Sequence, residues 1–156
     1  MYVTLIRHGT AGPAAADHIR SLTESGRAEA EALGRALHAR EIRFDRMVTS
    51  PLVRARQTAE LIARQVALGV ALREDAGLVP EGHSDDVIAL LRTLEAEGSK
   101  DVALVFHMPN IAMAAGVLLG EKVGGFKTAQ ALRLELSGNG SSWMSDRGIW
   151  IDPNGG

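Results

Sequence analysis

The sequence contains no cysteine, which excludes disulfides, thiol catalysis and cysteine metal sites. Aromatic residues make up only 4% of it, so the core has to be built mostly from aliphatic side chains. It has no long apolar run and no basic-then-apolar leader, so neither a membrane span nor secretion is expected. Charge of one sign is also lacking. A formal net charge of −2 gives no reason to expect nucleic acid or an acidic membrane as a partner. The cytoplasm is the expected compartment.

What remains is an ordinary globular composition, 46% apolar and 23% charged over 156 residues. That length suits one domain with a sizeable core. Residues 1–151 are expected to form it, with 152–156 as a frayed tail. Tyr2 to Ile6 reads as a buried strand, aliphatic and β-branched without alternation. It ends in Arg7-His8-Gly9, where Gly9 is expected to let the backbone turn sharply. After an alanine-rich loop, Thr23 is a good N-cap for a helix running to about Arg40, with Ala28, Leu33, Ala36 and Leu37 as its apolar stripe.

Phe44 to Thr49 reads as a second strand. Ser50-Pro51 then precedes a strong helix from Leu52 to about Ala67. Val70 to Arg73 suggests a short third strand, and Ser84 is expected to cap a helix to about Glu97. Asp101 to Phe106 is a fourth, almost continuously apolar strand. It ends in His107, and the helix Asn110 to Leu119 follows. Alternation over Ala131 to Leu136, the turn signal Ser137-Gly138-Asn139-Gly140, and a return over Ser141 to Met144 predict a hairpin. The fold class is therefore α/β: one domain, about six strands in a mostly parallel sheet, one antiparallel strand from the late hairpin, helices on both faces.

In such a sheet, ligands bind beyond the carboxyl ends of the strands. Arg7, His8, Arg54 and His107 all stand where strands end or helices begin, and Arg20 joins them from the first loop. Arg54 is electrostatically odd, because it puts a cation in the first turn of a helix whose N-terminus is already positive. An anion held nearby would resolve the conflict. Arginine forks suit bidentate recognition of phosphate, and arginines around a histidine favour its neutral form. A neutral imidazole nitrogen is a nucleophile. Phosphoryl transfer needs an in-line attacker and cations around the equatorial oxygens. This set supplies both without a metal, and arginines would repel a divalent cation, so no required metal and no cofactor are expected.

The ordered motifs carry a resemblance. Arg7-His8-Gly9 after a strand, Leu22-Thr23-Glu24-Ser25-Gly26, Ser50-Pro51-Leu52-Val53-Arg54-Ala55-Arg56-Gln57-Thr58 and His107-Met108-Pro109 together resemble the histidine phosphatase (phosphoglycerate-mutase-like) superfamily. Within it the chain is most similar to the small SixA-type phosphohistidine phosphatases, nearly from end to end. The resemblance implies that His8 attacks phosphorus and is transiently phosphorylated, and that Arg7, Arg54 and His107 bind the phosphoryl oxygens. Arg20 would match a further phosphate-binding arginine. Asp17 matches an aspartate position in the small phosphohistidine phosphatases. Glu81 and His83 lie in the loop where larger members carry an acidic residue. The general acid is thus Asp17, Glu81, His83 or none.

Two positions depart from the family pattern. Thr10 stands where an acidic residue is frequent. Phe106 stands where glycine is frequent, and is expected to narrow the mouth of the pocket. The function implied is a metal-independent phosphatase acting on phosphohistidine of a partner protein. Alternatives are a phosphomonoesterase for small phosphate esters, and a non-catalytic phosphate-binding module.

Other signals have plainer readings. Phe126 occupies the place where a phosphate loop would need its lysine. His18 and His38 are expected to be solvated, and Arg56 to face solvent or pair with Glu60. Trp143 and Trp150 are expected to form core or edge cover.

Overall fold

The computed structural model describes residues 1–138, 143, 145 and 147–155. Among these residues six strands form one sheet: β1 (Tyr2–Arg7), β2 (Arg46–Thr49), β3 (Leu72–Glu74), β4 (Asp101–Phe106), β5 (Ala131–Glu135) and β6 (Gly148–Ile151). Their order across the sheet is β3-β2-β4-β1-β5-β6. The first four run parallel, and β5 lies antiparallel to both of its neighbours.

Among the described residues four α-helices cover the sheet: α1 (Glu24–Ala39), α2 (Val53–Val66), α3 (Ser84–Ala96) and α4 (Asn110–Leu119). The period of two along β4 shows how both faces are buried. Val102, Leu104 and Phe106 join a core with Leu91 and Leu94 of α3 and Ile111 and Ala114 of α4. Ala103 and Val105 face a second core with Leu33 and Leu37 of α1 and Ala55, Ala59 and Ile62 of α2. No helix among the described residues is long and apolar enough to cross a membrane.

Several expectations shift by a few residues, each for a local reason. Phe44 is buried but outside β2, because its N–H goes to Val66 O at the end of α2 rather than to a strand. Val70 closes a turn onto Ala67 O, so β3 starts at Leu72 instead. Ser84 is the first helical residue of α3, not its cap. The cap is His83, whose N–H donates to the Asp86 carboxylate at 3.1 Å. Ala28 is exposed, while Gly26, Ala30, Leu33, Gly34 and Leu37 form the buried face of α1.

The strand that pairs back on β5 among the described residues is β6, with Leu132 opposite Trp150. The expected return at Ser141 to Met144 lies, apart from Trp143, outside the described residues, as do Asn139 and Gly140 of the turn. Trp143 is buried and donates to Glu95, and Trp150 packs edge-on against Phe126.

Glycine proves important for the loop beyond β1 in a way that its turn-forming freedom does not capture. A Cβ on Gly9 would stand 2.6 Å from Gly26 O, and one on Gly26 would collide with Thr10 O. The Arg-His-Gly segment and the first turn of α1 are therefore in backbone-to-backbone contact, which only glycine permits. Thr23 accepts from Gly26 N at 2.9 Å and caps α1, and its own N–H goes to Thr10 O. Segments well separated in the chain, Gly9-Thr10 and Thr23 to Gly26, are thus clamped together at the carboxyl edge of β1.

Candidate active site

Three adjacent strands, β2, β4 and β1, end side by side, and each delivers part of one site. Arg7 closes β1 and His8 follows it. Ser50 follows β2 and Arg54 lies in the first turn of α2. His107 follows β4. Arg7 is in register with Phe106, so the two histidines come next in two paired strands. Their ring centroids are 5.0 Å apart.

His8 is 8% exposed, and its Nδ1 lies 2.6 Å from Gly9 O. A carbonyl oxygen only accepts, so Nδ1 carries the proton and Nε2 keeps its lone pair. Burial pushes the His8 pKa down to about 4, and the positive charges of Arg54, Arg7 and Arg20 push the same way against the Gly9 hydrogen bond. The ring is neutral at neutral pH. His107 is 1% exposed, with Nε2 2.7 Å from Ser50 Oγ. Burial, then the charges of His8 and Arg54, bring its pKa to about 3.

Arg7 and Arg54 are each tied at one end and free at Nε, whereas Arg20 is held at all three nitrogens, by Gly12 O, Asp17 and Ala11 O. Arg7 Nη1 donates to Phe126 O at 2.6 Å, and Arg54 Nη1 to Asp17 O at 2.9 Å. Arg54 Nη2 reaches the Asp17 carboxylate at 3.2 Å. Arg20 donates to the other Asp17 oxygen at 3.2 Å and to Gly12 O. Meanwhile Arg7 Nε, Arg54 Nε and His107 Nδ1 are buried without a hydrogen-bond partner. Buried polar atoms are nearly always paired, so three such nitrogens in one site are what an anion-binding pocket presents.

Asp17 is thus the anion that answers the misplaced charge of Arg54. It sits in a short 3₁₀ turn, Asp17–Ile19, and remains exposed at the site's mouth. Its hydrogen bond from Arg20, more than that from Arg54, holds the carboxyl below the usual carboxylate range. Glu81 and His83 are exposed on the loop leading into α3. That loop is pinned to α4 by Asn110, which donates to Gly77 O and Val79 O.

Ser50, Gln57 and Thr58 belong to the Arg54 motif, and their roles emerge only in the folded chain. Thr58 accepts from Gly9 N and donates to Arg54 O, which joins the loop that holds His8 to the helix that holds Arg54. Gln57 accepts from Leu22 N and so holds the start of α1 against α2. Glu29 was missed altogether. Thr10 donates to it through both N–H and Oγ, so α1 brings a carboxylate to the position where the chain itself has threonine. Phe106 is fully buried in the core and does not narrow the mouth. Arg56 faces solvent but pairs with Glu74 at the end of β3, not with Glu60. No group of three His, Cys, Asp or Glu side chains among the described residues is arranged to hold a metal ion.

Comparison with known proteins identifies the family. Residues 3–86 match the family model described as histidine phosphatase superfamily (branch 1). Phosphohistidine phosphatase SixA of Escherichia coli K12 is 32% identical over 149 residues, covering 92% of each chain. A SixA homologue of Haemophilus influenzae is also 32% identical, over 78% of this chain and 79% of its own. A solved structure of the protein histidine phosphatase SixA complexed with tungstate superposes with a TM-score of 0.88 at 28% identity, covering 98% of this chain and 97% of that one. The chain belongs to branch 1 of the histidine phosphatase superfamily.

Proposed function

We propose that this protein is a phosphohistidine phosphatase that works through a phosphorylated His8. The observation that carries the reading is the His8 ring. It is neutral, its Nδ1–H is held by Gly9 O, and its Nε2 lone pair is free beside three arginines. In the first half-reaction that lone pair attacks phosphorus and the bond from phosphorus to the substrate nitrogen breaks. In the second, water attacks the same phosphorus, the His8–phosphorus bond breaks, and inorganic phosphate leaves. Arg7, Arg20, Arg54 and His107 stabilise the equatorial oxygens as charge builds on them.

Asp17 is ionised beside Arg20 and Arg54, so in this arrangement it orients cations rather than donating a proton. An imidazole is a far better leaving group than an alkoxide, and a phosphohistidine substrate therefore has little need of a strong acid. That match, with the SixA relatives, favours phosphohistidine over simple esters. The site also reaches the surface, since Asp17 and Ile19 at its mouth are exposed, so a side chain carried by another protein can enter.

The test is phosphate release from a phosphohistidine-bearing protein and from an aryl phosphate ester, in the presence of chelator. A much higher kcat/KM for phosphohistidine is expected. Preference for the ester would keep the phosphoenzyme chemistry and move the substrate to small molecules. Binding of phosphoprotein without any release would leave only a phosphate-binding module.

A further inference from the structure

We infer that Ser50 is a positioning residue that sets the tautomer of His107, so that His107 presents Nδ1–H to the phosphoryl group. The inference rests on the phosphatase reading for its purpose, but its structural content stands on a hydrogen-bond count around one hydroxyl.

Ser50 is fully buried between β2 and α2. Its N–H is tied to Val105 O of β4, which fixes it beside the strand that carries His107. Its Oγ accepts from Leu52 N at 3.2 Å and lies 2.7 Å from His107 Nε2. A hydroxyl has one proton to donate. Among the described residues, His107 Nε2 is the acceptor within reach of it. If Nε2 carried the ring proton instead, Oγ would accept it and the buried hydroxyl proton would turn away with no partner. Ser50 therefore donates, Nε2 accepts, and the proton of the neutral ring sits on Nδ1.

That nitrogen is buried and unpaired within the protein, as are Arg7 Nε and Arg54 Nε of the same site. With a proton it completes a set of three buried N–H donors, which an oxygen of a phosphoryl group can satisfy. With a bare lone pair it would repel that oxygen. Ser50 thus acts through His107 and makes no contact with substrate itself.

Ring ¹⁵N NMR of the whole histidine-labelled protein at neutral pH tests this, with His107 assigned by its loss in His107→Gln. The expected pattern is a protonated Nδ1 and an unprotonated Nε2 in wild type. Ser50→Ala should move the ring toward Nε2–H, and Ser50→Thr should keep the wild-type pattern. Inorganic phosphate should bind about tenfold or more weakly to Ser50→Ala, the loss of one charge-assisted hydrogen bond, and Ser50→Thr should restore it. A protonated Nε2 in wild type overturns the inference even if no variant folds. So does an unchanged His107 pattern in folded Ser50→Ala. Because the spectrum needs no substrate, a protein with the expected tautomer that releases no phosphate would refute the function and not this assignment.

Discussion

The ends of β1 and β4 present the same residue in the same place and prepare it for opposite tasks. Each is an apolar strand followed by histidine, the strands are paired, and the two rings lie 5.0 Å apart. His8 is held through Nδ1 by a carbonyl, which cannot donate, so Nε2 is left as a lone pair. His107 is held through Nε2 by a hydroxyl, which can. One neighbouring oxygen takes a proton and the other supplies one. The difference teaches that burial only makes both rings neutral, and that in the mechanism proposed here the hydrogen-bond partner decides which serves as nucleophile and which as donor.

Removing each ring in turn should break the comparison most visibly. His8→Ala is expected to abolish phosphate release and all phosphoenzyme, because no other lone pair stands in its place. His107→Ala should keep the phosphoenzyme and lower kcat/KM by roughly a hundredfold or more, the usual effect of losing one transition-state donor. Equal, complete losses in stopped-flow and steady-state assays would mean that the two rings act as one unit.

A smaller effect should appear in stability against pH. The unfolded imidazoles titrate near their ordinary value of 6.5, while the folded rings titrate at about 4 for His8 and about 3 for His107. Between those limits the unfolded chain takes up protons that the folded one refuses, so stability falls as pH drops below about 6.5. From pH 6.5 to 5 the loss is at most about 2 kcal/mol per ring, from roughly 1.4 kcal/mol per pKa unit. Urea midpoints should therefore drop over that range in wild type and drop less in His107→Gln. A midpoint that rises on acidification would refute the buried, neutral pair.

Much of this was legible in the sequence, and most of the exceptions share a cause. β4 and α4 begin and end where their apolar runs do, because continuous burial leaves little ambiguity. Arg54 announced itself as a cation at the wrong end of a helix, and Asp17 answers it. What could not be read was mostly contact between segments distant in the chain. Ser50 meets His107 only because β2 lies next to β4, and Gly9 needs to be glycine only because Gly26 is pressed against it. The cap of α3 was misplaced by one residue for a subtler reason: the anchor is the Asp86 carboxylate, three residues into the turn, rather than the serine that looks like a cap. Glu29 stayed hidden because a carboxylate nineteen positions from Thr10 in the chain carries no local signature of its neighbour.

The most direct test of the account is to find which nitrogen becomes phosphorylated. Turnover would be quenched under alkaline denaturing conditions with labelled phosphohistidine substrate, followed by peptide mapping and identification of the phosphohistidine isomer. The expected product is a phosphoryl group on Nε2 of His8, since Nδ1 is committed to Gly9 O. Phosphate on Nδ1 of His8, on His107, or on no residue during active turnover would contradict it.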